Sequence, residues 1–124
     1  MFLVLEFDSE VPIYLQIRNK IVEGIANGEL IDGQKLPSVR DLASEATVNP
    51  NTMQKALAEL ERRGLVYSVR TSGRFITQDC NIIKDTQTTL AKDEIKEFLE
   101  KMQKIGFDKN RLLTTLKEVI KEME

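Results

Sequence analysis

The chain has 124 residues, a length that suits one compact domain and an appendage. Its formal net charge is −2 at pH 7, so overall charge taken alone argues against a nucleic-acid partner. The sequence contains no histidine and a single cysteine, Cys80, which argues against a zinc site and a histidine general base and excludes an intramolecular disulfide.

The chain opens on an apolar stretch, Phe2-Leu3-Val4-Leu5, which is too short for a signal peptide and lacks a basic leader. Residues 12–27 then form a predicted amphipathic helix, ended by Asn27-Gly28, with isoleucine at four-residue intervals: Ile13, Ile17, Ile21 and Ile25. A turn-rich connector follows from Glu29 to Lys35. No stretch approaches the length of a membrane span, and with the lone cysteine this predicts a cytoplasmic protein.

The second predicted helix begins at a capping signal. Ser38 follows Pro37 and precedes Asp41 by three residues, so its hydroxyl can accept from the first free amides while the carboxylate reaches back. One apolar stripe then runs through Val39, Leu42, Ala43 and Ala46. The pattern predicts a short capped helix with Arg40 on its exposed side.

The third predicted helix has a polar leading turn. Asn49 is its N-cap, and Pro50 occupies the first helical position, where the missing amide costs nothing. Gly64 is the C-terminal stop after an apolar stripe formed by Met53, Ala56, Leu57 and Leu60. Four polar residues are left on the outer face, where a recognition helix carries its base-reading side chains: Asn51, Thr52, Gln54 and Lys55.

A β-hairpin with a basic tip follows, with predicted strands over Leu65–Val69 and Arg74–Gln78. Each of the preceding helix starts is common when taken alone. A helix pair followed by a basic ribbon, however, can fill a major groove and hold the flanking phosphates. The charge distribution agrees, because residues 35–74 carry a balance of +3 whereas residues 1–34 carry −4 and residues 75–124 carry −1. The excess is modest, so tight binding should need two copies.

The C-terminal part returns to helical periodicity, with predicted helices over Asn81–Ile105 and Lys109–Glu124 separated by Gly106-Phe107 and an N-cap at Asp108. Two helices cannot bury both of their apolar stripes alone, so they either fold back onto the first domain or pack against a second copy. We favour a homodimer, because an unburied stripe of this length would promote aggregation. The predicted dimerisation residues are Leu90, Ile95, Phe98, Leu99, Met102, Ile105, Leu112, Leu113, Leu116, Val119, Ile120 and Met123.

Taken together, these segments resemble the winged helix-turn-helix of GntR-type bacterial transcription regulators over roughly residues 8–78. The Asn-Pro-Asn-Thr start of the third helix and the short tail resemble the YtrA-like subfamily. The resemblance is carried by Val11–Ile17, Gly28, Leu30, Gly33, residues 36–43, residues 49–52, Ala56-Leu57, residues 59–61 and residues 64–66.

The resemblance implies DNA contacts by Arg40 and the third helix and by the wing tip, and it implies that two C-terminal helices dimerise the protein without a large ligand-binding domain. The chain departs from the family at Thr47, where glycine is frequent, and at Pro50 and Gln54, where relatives often carry arginine. Gln54 suits adenine by hydrogen-bond geometry. The family's Gly-x-Gly-Thr-Phe wing reads Thr-Ser-Gly-Arg-Phe here. The expected DNA-binding residues are Lys35, Ser38, Arg40, Asn49, Asn51, Thr52, Gln54, Lys55, Arg70, Thr71, Ser72, Gly73 and Arg74.

We therefore predict a mainly α fold with a small β-hairpin, comprising a winged helix-turn-helix domain over residues 1–78 and a helical dimerisation region over residues 79–124. The predicted function is a sequence-specific DNA-binding regulator, a repressor by the habit of the subfamily, on a pseudo-palindromic operator. The alternative is a winged helix for protein–protein contact or for architectural DNA binding without sequence preference. No Walker loop, Gly-x-Ser-x-Gly or paired-carboxylate pattern indicates an enzyme, and we expect no metal and no cofactor. No polar constellation marks a site for a small-molecule effector.

Overall fold

The computed structural model describes Leu3 and residues 6–124; Phe2, Val4 and Leu5 of the apolar start lie outside the described residues. The chain divides into two compact units, one ending at Gln87 and the other covering Thr88–Glu124. The mainly α fold with one small hairpin is confirmed. Its elements within the described residues are α1 (Ile13–Asn27), α2 (Val39–Ala46), α3 (Pro50–Arg62), β1 (Val66–Val69), β2 (Gly73–Ile76), α4 (Cys80–Ile105) and α5 (Lys109–Glu122).

The core of the first unit is built around α3, which packs against α1, α2 and β1. All four residues of its predicted stripe are buried, and removing such apolar surface from water is the main stabilising contribution. The α1 stripe is confirmed except for Ile13, which is the first residue of the helix and is 43% exposed. The buried residues that surround α3 include Ile17, Ile21, Val22, Ile25, Leu42, Ala43, Ala46, Leu65, Val66 and Ile76.

Both predicted caps are present at the starts of α2 and α3. The Ser38 hydroxyl accepts a hydrogen bond from the Asp41 amide at 3.1 Å, and the Asn49 side chain accepts one from the Asn51 amide at 2.8 Å. The second hydrogen bond predicted for the capping box is absent among the described residues, because the Asp41 carboxylate does not accept from the Ser38 amide. These caps fix where the two helices begin and therefore which side chains lie on their first turns.

The turn between α2 and α3 is left-handed even though it carries no glycine. Thr47 adopts φ 57° and ψ 49°, and its amide donates to the carbonyl oxygens of Ala43 and Ser44. A β-branched residue in this region is strained, at a cost on the order of 1–2 kcal/mol. The packing of α2 on α3 must compensate for that strain.

The hairpin is shorter than expected, because β1 begins at Val66 and β2 ends at Ile76. Its strands are antiparallel, with Val66 opposite Ile76 and Val69 opposite Gly73. The connector that the sequence analysis assigned to turns contributes a further strand-like segment: the Ile76 amide donates to the Gln34 carbonyl at 2.8 Å, and the Leu36 amide donates to the Arg74 carbonyl at 2.9 Å. Residues 34–36 therefore cover the second edge of β2 and place Lys35 beside the wing.

The first unit extends nine residues past the boundary expected at residue 78. A Cβ added at Gly64 would lie 3.3 Å from Cδ1 of Ile82, and the Gln87 side-chain amide donates to the Ala26 carbonyl at 2.9 Å. The first two turns of α4 thus pack on the winged helix-turn-helix. Because helical periodicity resumes at these residues, the sequence alone predicts that they belong to the dimerisation region.

The second unit holds the remainder of α4 and all of α5. As predicted, Gly106 ends α4 with φ 100° and the Asp108 side chain caps α5 by accepting from the Arg111 amide at 2.9 Å. Neither helix has a buried residue. Their apolar faces therefore remain largely exposed, as for Ile105 at 66% and Ile120 at 52%.

None of the described helices combines the length and the apolar character needed to cross a membrane.

Replacing Thr47 by glycine should stabilise the first unit by up to about 1 kcal/mol, because glycine removes the left-handed strain but loses more backbone entropy on folding. Thr47→Ala, which keeps a Cβ in the same backbone region, is the matched control and should gain less. Urea denaturation of the three proteins measures the effect. A lower free energy of unfolding for Thr47→Gly would contradict the assigned strain.

Candidate nucleic-acid interface

The leading turns of α3 present polar side chains on the side opposite the core. Asn51 and Gln54 are exposed and Thr52 is half-buried, whereas Met53 between them is fully buried. Because the buried face holds the helix in place, the outer side chains are presented on a rigid backbone. An exposed amide such as that of Gln54 offers a donor and an acceptor side by side, which is the pattern that the major-groove edge of adenine complements.

Lys55 lies on the same face and is positioned by an aromatic ring that the sequence analysis did not single out. Its Nζ lies 4.0 Å from the ring centroid of Tyr14, at the start of α1. A cation–π contact at an exposed site contributes about 0.5–1 kcal/mol, enough to favour one direction for a flexible lysine. Tyr14 belongs to the segment that resembles the family's first helix, but a sequence gives no distance between α1 and α3.

A groove with a volume of about 580 Å³ separates the start of α2 from the tip of the wing. Its lining includes Lys35 beside the wing, Ser38 at the start of α2, and Ser72, Gly73 and Arg74 of the wing itself. The free amides in the first turn of α2 carry partial positive charge, and Lys35 adds a full one. The groove therefore has the electrostatic character that suits an anion such as a backbone phosphate.

Two further predicted residues are exposed, Arg40 on the first turn of α2 and Arg70 in the turn of the hairpin. Neither forms an ion pair within the part of the chain that the structure describes. The turn that follows Arg70 places Thr71 at φ 71° and Gly73 at φ 114°. Only glycine adopts the second value without strain, which explains the one glycine that this wing keeps.

Arg74, which the sequence analysis assigned to DNA contact, is engaged within the protein. Its Nε donates to Oε1 of Glu61 on α3 at 2.6 Å, and only 21% of its side chain is exposed. The Ser68 hydroxyl donates to the same oxygen at 2.5 Å. The hydrogen bonds from Ser68 and Arg74 and the nearby positive charge lower the pKa of Glu61, against the opposing effect of burial. The carboxylate is therefore ionised at neutral pH.

The roles of Glu61 and Ser68 are not predicted from the sequence. The proximity of Ser68 and Arg74 could have been inferred from a hairpin register, because the two residues lie opposite each other across the strands. A hairpin register does not show, however, that Glu61 of α3 contacts both residues.

Within the described residues, no group of three or more His, Cys, Asp or Glu side chains could hold a metal ion.

Residues 13–76 match the model of a protein family described as bacterial regulatory proteins, gntR family. Two relatives from Bacillus subtilis strain 168 align over 90% of this chain. They are the HTH-type transcriptional regulator YhcF, at 38% identity over 93% of its length, and the HTH-type transcriptional repressor YtrA, at 34% identity over 86% of its length.

Solved structures share the fold over most of the chain. A GntR family transcriptional regulator from Listeria monocytogenes superposes with a TM-score of 0.81 at 38% identity, covering 90% of this chain and 98% of that one. The DNA-binding domain of AraR, in a complex with its operator ORR3, superposes with a TM-score of 0.53 at 32% identity, over 59% of this chain and 88% of that one.

Replacing Gln54 by alanine should relax the preference for one base pair in each half-site and cost about 1–3 kcal/mol for each lost bidentate contact. Gln103→Ala makes the same chemical change on the exposed surface of α4 and serves as the matched control. Binding-site selection with the three proteins measures the effect. A selected motif that Gln54→Ala leaves unchanged would remove Gln54 from the base-reading set.

Replacing Arg70 by alanine should weaken binding to every duplex alike and reduce the slope of log K against log salt by about one phosphate contact per subunit. Arg62→Ala, which removes an exposed arginine from the last turn of α3, is the control. Fluorescence anisotropy titrations at several salt concentrations give the slope. If Arg70→Ala instead lost discrimination between operator and random DNA, the wing would be reading bases.

Proposed function

Because the chain belongs to the GntR family of bacterial transcriptional regulators, we propose that it is a cytoplasmic repressor that binds a pseudo-palindromic operator as a homodimer. It is a sequence-specific DNA-binding regulator by family and fold. Repression is supported by the similarity to a protein named as a repressor, and dimeric binding by the properties of the second unit described below.

One observation carries the mode of DNA binding: α3 exposes Asn51 and Gln54 on the face opposite its buried stripe, in a domain that also has a groove between α2 and the wing. With α3 in the major groove, these two amides would contact base edges. The first turn of α2, together with Lys35, would hold a phosphate of the backbone. Arg40 and Arg70 would contact phosphates on either side.

The apolar residues of the second unit support the homodimer. Leu99, Leu116 and Val119 are each about two-fifths exposed, and Met123 is 82% exposed. A contiguous row of such side chains in water favours association, and a second copy offers an identical row related by a two-fold axis. A dimer would also compensate for the weak DNA affinity expected from the modest positive charge of one subunit, because two linked DNA-binding domains bind far more tightly than one.

Selection of bound sequences from random DNA by the full-length chain is the direct test of this function. We expect an inverted repeat whose half-sites lie about one helical turn apart, because a two-fold dimer presents two copies of α3 on one face of the duplex. A single unrepeated motif would contradict dimeric binding. Equal recovery of unrelated sequences would instead favour architectural DNA binding.

Leu116→Glu should break the dimer without unfolding the first unit, because the new side chain would place an unpaired carboxylate in the dimer interface. Thr114→Glu introduces the same charge about 200° around α5, where the side chain is exposed, and should leave the dimer intact. Light scattering at micromolar concentration gives the mass, and circular dichroism checks the fold. A wild-type chain that runs as a monomer would contradict the proposed assembly.

A further inference from the structure

One oxygen atom of Glu61 binds both strands of the wing. Oε1 accepts from the Ser68 hydroxyl of β1 at 2.5 Å and from Nε of Arg74 of β2 at 2.6 Å. Ser68 and Arg74 lie opposite each other across the hairpin, and Glu61 lies in the last turn of α3. A single carboxylate therefore links the recognition helix to a matched pair of positions on the wing.

Besides Glu61, the backbone of residues 34–36 supports the wing by pairing with the outer edge of β2, but that segment does not link the wing directly to α3. Each strand has four residues, and a two-stranded hairpin of that size is marginal without support from a neighbouring element. Its turn also holds Thr71 in a left-handed conformation. The inner residues Val66 and Ile76 attach the base of the hairpin to the core, whereas Ser68 and Arg74 lie nearer to the tip. A contact at this second level restricts rotation of the hairpin relative to α3.

We propose that Glu61 is a positioning residue for DNA binding, which sets the angle between the wing and α3 by holding Ser68 and Arg74. The proposal rests on the DNA-binding mode given above. Arg74 then acts through Glu61, and Arg70 supplies the phosphate contact of the wing. Two arginines that lie four residues apart and look equivalent in the sequence therefore have different roles: Arg70 contacts DNA, and Arg74 orients the wing.

Salt dependence separates the two roles. Arg70→Ala should lower the salt slope by about one contact per subunit, whereas Arg74→Met should leave the slope unchanged because no phosphate contact is lost. Methionine keeps an unbranched side chain at position 74 and removes the guanidinium that Glu61 binds. Arg74→Met should nevertheless weaken binding to the selected operator several-fold more than binding to an unrelated duplex, because a misaligned wing cannot engage together with α3.

The carboxylate is tested against a control on the same helix. Glu61→Gln and Glu59→Gln each remove one negative charge from α3, but Glu59 pairs with Arg18 and Arg62 and does not contact the wing. Loss of charge should strengthen binding to all DNA in both variants. Only Glu61→Gln should also lose operator preference. Ser68→Ala provides a second, milder disruption of the same contact should Glu61→Gln fold poorly.

A double-mutant cycle completes the test. Glu61→Gln combined with Arg74→Met should lose no more operator preference than the stronger single variant, because both act on one contact: the first removes its negative charge and the second its donor. Additive losses, or a salt slope for Arg74→Met that falls as far as that of Arg70→Ala, would overturn the proposal and make Arg74 a phosphate ligand. Failure of the wild-type chain to prefer any sequence would refute the proposed function instead. The same cycle applied to the unfolding of the DNA-free protein would still measure the Glu61–Arg74 coupling.

Discussion

The packing of α3 against α1 and α2 is the constraint on which the rest of the structure depends. Met53, Ala56, Leu57 and Leu60 are all fully buried on one side of the helix. Truncation of Met53, Leu57 or Leu60 to alanine would leave a cavity and cost about 2–5 kcal/mol. Because this face cannot rotate away from the core, the opposite face must present Asn51 and Gln54 to solvent. The arrangement that stabilises the domain therefore also presents the residues expected to read DNA.

The base of the wing is anchored in the core by buried apolar residues, and polar contacts hold the rest of it. Glu61 reaches both strands, and the segment from Gln34 to Leu36 covers the outer edge of β2. These interactions place Lys35 and Gly73 next to each other in the lining of the groove at the start of α2. The groove is thus a product of three separate pieces of chain, all fixed relative to α3. An anion bound there would contact elements whose positions are already set.

Local signals account for what the sequence predicts well. Caps, a proline at a helix start, glycine stops and apolar spacing act within a few residues, so the bounds of α2, α3 and α5 could be located closely. Contacts between distant residues could not be. The pairing of Glu61 with Arg74, the ring of Tyr14 beneath Lys55 and the strand-like segment at Lys35 depend on how elements pack. The contact of the first turns of α4 with the first unit could not be predicted for the same reason, since periodicity does not show what a helix face covers.

The most direct test of the central claim is to map the amide chemical shifts of the protein with and without a bound duplex of selected sequence. The largest changes should cluster at the first turn of α2, the leading turns of α3 and the hairpin turn from Arg70 to Gly73. The buried side of α1 should stay largely unperturbed. Changes concentrated on the outer surface of α1, with α3 unaffected, would contradict DNA binding through α3.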